Sequence, residues 1–412
     1  MANIKPFKAI RPNKEVVDRV AALPYDVYNR QEAKLEVEKE PLSFLKIDRA
    51  ETQFNDDVDT YDDRVYEKAS ETLWSMLGEG IFIQDDEEYF YIYELIMDGR
   101  SQTGIVGCSS IDDYESNVIK KHENTRKEKE IDRIKHVDTC NAQTGPIFLA
   151  YKANKELQSI VDKVKTKDKL YGFTSSDEIT HNMWLVSEKN DISAVKDIFK
   201  TMDSIYIADG HHRTASAVRV GQMRREANPN YNGQEEFNYF LSVLFPDDQL
   251  LIQPYNRTVN SLNGYSKEEF LLKVGENFDI KELGKTPYAP EEKNTFGMYL
   301  DKNWYKLKIK DKFLNPNNPV ESLDVSMLQN YLLDPILNIK DPKTDENIDF
   351  IGGIRGLEEL EKRVNLDMEV AFSMYPTSMA ELFAISDAGK LMPPKSTWFE
   401  PKLRSGLFIH KI

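Results

Sequence analysis

The chain has 412 residues, 40% of them hydrophobic, and a formal net charge of −16, which is enough apolar material for two or three domains, or one with large insertions. Charges of both signs are interspersed, which argues against wholesale disorder. No segment concentrates Lys and Arg without balancing acids, so nucleic acid and anionic membrane are excluded as expected partners.

The N-terminus, MANIKPFKAIRPNKE, has no apolar signal core, and no run approaches about 18 consecutive apolar residues. A cytoplasmic protein is expected. Cys108 and Cys140 lack CxxC spacing and are expected to be reduced, buried thiols.

In chain order, IKPFKAIRP reads as a short strand, Leu23-Pro24-Tyr25-Asp26 as a turn, and Gln31 onward as a helix. Residues 60–79 have helical periodicity and stop at Gly78 and Gly80. Two aromatic or β-branched runs joined by Asp98-Gly99 predict a β-hairpin. The charged stretch 115–138 predicts a helix, PIFLAYK a strand, NKELQSIVDKVKT a helix and HNMWLVS a strand. SIYIADGHHRTASAVRVGQMRREA passes from a buried strand into a helix, and FNYFLSVLFP is a long apolar strand. Beyond about residue 260, the helices are KEEFLLKVGENF, DVSMLQNYLLDPIL, GLEELEKRV and SMAELFAISDAG. Between them come strands in GMYLDKNWYKLKIK, NIDFIGG and EVAFSMYP. The pattern predicts an α+β fold of mixed sheets with flanking helices. An N-terminal lobe is expected over 1–260 and a C-terminal α/β lobe over 261–412, parting near Asn260–Tyr265.

The strongest local signal is Asp209-Gly210-His211-His212-Arg213. A buried strand ends there, Gly210 permits a tight turn and close approach of a ligand, and a helix begins at His211 or His212. The unpaired N–H groups and positive dipole end of that helix suit an anion. Arg213 adds a bidentate donor for phosphate oxygens, and the two imidazoles add further donors. A simple helix cap by Asp209 would leave unexplained why two of only six histidines meet an Arg and a Gly in one turn. Metal chelation by adjacent histidines is disfavoured because they point apart, but Asp209 is a candidate Mg²⁺ ligand beside substrate phosphates.

Two further segments carry candidate chemistry. KKHENTRKEKEIDRIKH places His122 and Glu123 together. On one continuous helix, His122 and His136 would stand about 21 Å apart and could not share an ion. The tail KSTWFEPKLRSG follows a double proline and gathers Lys395, Ser396, Thr397, Lys402, Arg404 and Ser405, groups suited to a phosphate or a substrate carboxylate. FIGGIRG reads as a structural turn.

IADGHHRTASAVRVG resembles the phosphate-binding motif of the ParB/sulfiredoxin-like nucleotide-binding superfamily, and within it the free serine kinases. MAELFAISDAGKLMPPKST is similar to the closing pattern of those kinases, and Arg11-Pro12-Asn13-Lys14-Glu15 loosely resembles their motif with a catalytic Glu. Over its length the chain resembles the family catalogued as domain of unknown function 1015, through FKAIRP, LPYDVYNRQEA, SFLKIDR, DGRSQTGIVG, IKKHENTRKEKEIDR, ADGHHRTASA and MPPKSTWFEPKLRSGL.

The resemblance implies a ParB/sulfiredoxin-like core with large insertions, and a kinase moving phosphate from ATP or ADP, with Mg²⁺, to the hydroxyl of a free amino acid such as L-serine. It implies catalytic roles for Glu15, Asp209, His122 and Glu123. Phosphate would be bound by Gly210, His211, His212, Arg213, Lys395, Ser396 and Thr397, the tail returning to the site. The alternative is a nucleotide-gated binding or scaffold protein. Assembly as a homodimer is left open.

Overall fold

Asp98 and Gly99 both adopt positive φ, 52° and 74°, and fold Phe90–Met97 back onto Arg100–Ser110 in antiparallel register. This is the hairpin that an Asp-Gly turn demands, since its two central residues must be left-handed. It forms the middle of a nine-stranded sheet. In spatial order the strands are Ile119–Lys120, Ile205–Asp209, Ile147–Tyr151, Tyr239–Pro246, Arg100–Ser110, Phe90–Met97, Thr180–Val186 and Tyr171–Thr174, with Ile4–Lys5 pairing against Arg100–Ser110. Two pairings are parallel, Ile119–Lys120 with Ile205–Asp209 and Ile147–Tyr151 with Tyr239–Pro246, and the rest are antiparallel.

The structure, a computed structural model, describes residues 1–412 as two units, 1–250 with 401–412, and 251–400. The core of the first unit includes Ile105, Ile147, Leu149, Ile205, Ile207, Phe240 and Leu244 from the sheet, with Val161, Phe199, Ala217 and Val218 from its helices. Burying each such aliphatic or aromatic side chain is worth about 1.5–3 kcal/mol. In the second unit, six strands form a fully antiparallel sheet in the order Phe278–Gly284, Asn303–Ile309, Thr295–Leu300, Val370–Ser373, Tyr255–Val259, Ile348–Gly352. Trp304, Tyr299, Ile351 and Leu360 pack together there. The fold class is α+β with mixed sheets.

The loop Asn260–Tyr265 follows the strand Tyr255–Val259, which is interior to the second sheet and so holds that loop within the second unit. Residues 401–412 thread back into the first unit, where Ser405 bridges Ala22, Ile409 bridges Ile10, and His410–Lys411 pair with Ala142–Gln143.

The structure corrects several expected elements. The 115–138 stretch is helical only over Lys127–Cys140, ending at Asn141 in the left-handed region (φ 50°). Ile119–Lys120 is instead a strand, because its backbone groups pair with Ile205 and Tyr206. His122 therefore lies in an irregular link. The helix over DVSMLQNYLLDPIL becomes a π-turn at Gln329–Leu333, just ahead of Pro335, whose ring cannot continue an α-helix. The helix Lys189–Phe199 and the short Leu45–Asp48 turn had no strong sequence signal.

Candidate functional site

The strand Ile205–Asp209 slips register against Ile147–Tyr151 between Ile207 and Asp209. Gly210 then takes φ 94° and ψ 31°, and the helix His211–Ala227 begins with no side-chain cap. A left-handed backbone without a Cβ lets the strand turn directly into the helix. The first N–H groups of a 17-residue helix are thus left without a capping side chain, at the positive end of its dipole. The helix is seated by Ser216, whose Oγ donates to the Glu130 and His212 carbonyls. At Gly221 the Phe237 carbonyl would lie within 2.4 Å of any Cβ.

Arg213 folds back over this turn. A Cβ on Gly210 would sit 3.2 Å from its Nε and Nη2, and its Nη1 donates to the Pro146 carbonyl at 2.6 Å. Asp209 Oδ1 accepts from the Gly210 N–H at 2.8 Å, and Oδ2 is 2.8 Å from Lys402 Nζ. Burial alone would raise the Asp209 carboxyl, but Lys402 and Arg213 outweigh it and hold it well below the usual carboxylate range.

The two histidines of the turn are not cations. Burial, reinforced by His122, pushes His211 well below the ordinary imidazole value. His212 is lowered by burial as well, and its Nε2 accepts from the Arg126 N–H at 2.9 Å. His122 is buried edge-on against His211, ring centroids 4.5 Å apart, and burial lowers it to about 4, with Asp209 acting in the opposite sense. Both imidazoles of the turn therefore engage the 122–126 link, and the positive charge at the turn comes from Arg213 and Lys402.

Beside the turn lies a narrow cavity of about 30 Å³, lined by Arg213, Gly145, Ser405, Thr144, Asp48 and His136 among others. It continues past Tyr25 and Arg133 into a wider space of about 180 Å³ bounded by Arg49, Glu51, Tyr66 and Asp132. Asp48 Oδ1 accepts from Thr144 Oγ1 at 2.7 Å. Arg133 stacks over the Tyr25 ring at 4.1 Å and pairs with Asp132, whose Oδ1 accepts from Tyr66 OH.

Of the residues singled out from sequence, the first unit brings Asp209, Gly210, His211, His212, Arg213 and His122 together. Glu123 is half-buried in the same link as His122. Glu15 is exposed in the turn after Ile10–Pro12, its N–H donating to Asn13 Oδ1. Lys395, Ser396 and Thr397 belong to the second unit. There Lys395 has φ 57°, and its carbonyl accepts from Arg257. Ser396 is buried, donates to the Pro393 carbonyl and accepts at its own carbonyl from Thr377, while Thr397 is half-buried.

Sequence reasoning did not assign the cleft residues Tyr25, Asp48, Arg133, His136 and Thr144. The signal was nevertheless present. LPYDVYNRQEA supplies Tyr25, SFLKIDR supplies Asp48 and Arg49, KEIDR supplies Asp132 and Arg133, and the tail supplies Ser405. Motifs scattered from residue 23 to the tail converge on one cleft.

The model of a family described as protein of unknown function (DUF1015) matches residues 4–326. The chain belongs to this family. Among solved structures, this DUF1015 chain is similar to a free serine kinase in complex with AMP, at 14% identity and TM-score 0.36, covering 77% of this chain and 92% of that one. It is also similar to SbnI with a C-terminal truncation from Staphylococcus aureus, at 11% identity and TM-score 0.38, covering 72% and 82%. A conserved hypothetical protein from Pyrococcus furiosus matches at 13% identity and TM-score 0.34, covering 74% and 94%. No curated protein matches the chain.

The expected Mg²⁺ finds no protein-built site in this DUF1015 chain. No group of three or more His, Cys, Asp or Glu side chains is arranged to hold a metal, and Lys402 already occupies Asp209 Oδ2. Mg²⁺ needs oxygen ligands in near-octahedral array, and Asp209 alone does not provide one.

Proposed function

We propose that this protein is a nucleotide-dependent small-molecule kinase, transferring a phosphoryl group from ATP or ADP to the hydroxyl of a free amino acid, with L-serine as the expected acceptor. The observation that carries this reading is the double position of Arg213, which covers the turn at Gly210 and also lines the cleft. An anion at the helix start and a small molecule in the cleft would share that side chain. Phosphoryl transfer asks little covalent chemistry of a protein, mainly positioning and neutralisation of charge.

In the proposed step, the acceptor oxygen attacks the terminal phosphorus, the bond from that phosphorus to the nucleotide's bridging oxygen breaks, and the hydroxyl proton passes to a carboxylate. Glu15 is the proposed base, with Arg213, Lys402 and the helix N–H groups facing the nucleotide phosphates. Lys395, Ser396 and Thr397 are proposed as a second set of phosphate or carboxylate contacts. His122 and Glu123 are proposed to support the turn. No step depends on a protein-held metal; Mg²⁺ arriving with the nucleotide would meet Asp209 beside Lys402. The ParB/sulfiredoxin-like core is proposed on the strength of the IADGHHRTASA motif, and a cytoplasmic location on the acidic composition.

A second reading, a nucleotide-gated binding protein without chemistry, draws on the internal pairing of Asp209, whose two oxygens both have protein partners. The two readings part under one experiment. Nucleotides incubated with serine, threonine and homoserine, followed by phosphorus NMR, should yield a phosphomonoester resonance if the kinase reading holds. Nucleotide binding with no new phosphorus signal for any acceptor would leave the binding protein.

A further inference from the structure

Asp48 and Arg133 stand out because each is buried in the wall of the cleft and each keeps one polar edge unused. Asp48 is 4% exposed. Its Oδ1 is held by Thr144, while no protein group donates to Oδ2. The nearest basic side chain, His136, has its Nε2 4.0 Å from Oδ1 and 3.2 Å from the Ile47 carbonyl. Burial and the neighbouring Arg133 keep His136 from charging, and Arg133 acts on Asp48 through its charge alone, its hydrogen bonds being directed to Asp132. Arg133 directs Nε and Nη2 to the same oxygen, Asp132 Oδ2, both at 2.9 Å. Its Nη1 has no acceptor in the protein. The two polar edges left without a hydrogen bond have opposite sign, and both residues line the same cleft.

We infer that this cleft is a subsite for a small free α-amino acid, with Asp48 receiving its ammonium group and Arg133 its carboxylate. The ligand supplies what the wall lacks on both sides. A lone cation would satisfy Asp48 but meet Arg133, and a lone anion would meet Asp48. A metal ion would find one carboxylate and a neighbouring guanidinium, which is no coordination set. Arg213, which covers the turn at Gly210, and Ser405 line the same cleft, and the amino acid's side chain is inferred to face them. The inference rests on the kinase reading only in treating the bound amino acid as the phosphoryl acceptor.

Calorimetry on the full chain, with L-serine as the first probe, tests this directly. Ethanolamine lacks the carboxylate and 3-hydroxypropanoate lacks the ammonium; each should bind at least tenfold more weakly than L-serine. Asp48→Asn keeps an acceptor for Thr144. Its loss of affinity should fall on L-serine and ethanolamine and spare 3-hydroxypropanoate, a selectivity that a general packing defect would not produce. If that variant fails to fold, the three-ligand comparison in the wild type still decides. Equal affinity for the three ligands overturns the inference, and so does a loss shared equally by all three in Asp48→Asn. Absence of binding by serine, threonine and homoserine also overturns it. ADP is titrated separately. ADP binding without amino acid binding removes the subsite and leaves the phosphate loop, whereas amino acid binding without ADP binding does the reverse.

Discussion

Lys402 Nζ lies 2.8 Å from Asp209 Oδ2, a pair separated by 193 positions in sequence. The C-terminal tail thus places a cation on the one carboxylate of the Asp-Gly-His-His-Arg turn. Lys402→Met should release Asp209 and move its carboxyl up toward the ordinary range. A carboxylate depressed in the folded state stabilises above its unfolded pKa of about 3.9, and that contribution fades as pH falls below it. The pair is partly exposed, so its worth at neutral pH should be no more than about 1 kcal/mol. Urea midpoints at pH 7 and pH 3 check this. The gap between wild type and variant should shrink in acid, and a gap that widens would contradict the pairing.

Arg213→Ala should weaken nucleotide binding by about 1.5–3 kcal/mol, the range for a hydrogen bond to a charged group. The variant also loses the bond to the Pro146 carbonyl, so its unfolding must be measured beside its affinity. Unchanged ADP affinity in a folded Arg213→Ala protein would remove the turn from the nucleotide site.

If Glu15 is the base, Glu15→Gln should leave ADP and serine affinity almost intact and lower turnover about 10²–10⁴-fold. Because Glu15 is exposed, the substitution carries little risk to folding. Arg213→Ala should instead lose affinity and rate together, since its contact exists before and during transfer. Turnover of Glu15→Gln within threefold of wild type would pass the role of base to another carboxylate.

His122 offers a pH signature of the folded site. Its imidazole is lowered by burial to about 4, against an unfolded value of about 6.5. The unfolded chain therefore binds the proton more tightly. Stability from this group is complete above about pH 6.5 and declines as pH falls from there toward 4, by up to about 3 kcal/mol. His122→Phe keeps an aromatic ring against His211 and removes the titration. Denaturation curves at pH 7.5 and pH 5 should show a smaller acid loss in the variant, and an equal loss in both proteins would show that His122 does not titrate in this window.

The turn at 209–213 was readable because its requirements are local. A strand, a glycine and a helix start are encoded in adjacent residues, and backbone sterics make Gly210 the natural hinge between them. The Asp98-Gly99 hairpin was legible for the same reason. The stretch 115–138 was misread because periodicity and charge speak for a helix, while a two-residue parallel pairing with Ile205 and Tyr206 is invisible until those residues are brought alongside.

By itself, the sequence determined the alternation of helices and strands, the acidic composition, the strand–glycine–helix turn at 209–213 and the family motifs in their order. Only the tertiary structure decided that Asp48, Arg133 and Arg213 border one cleft, that His211 and His212 are spent on the 122–126 link, and that Lys402 lies against Asp209. The physical reason is range. Backbone conformation follows from neighbouring residues, whereas the electrostatic role of a buried side chain depends on desolvation and on partners contributed by distant segments, which meet only when the chain has folded.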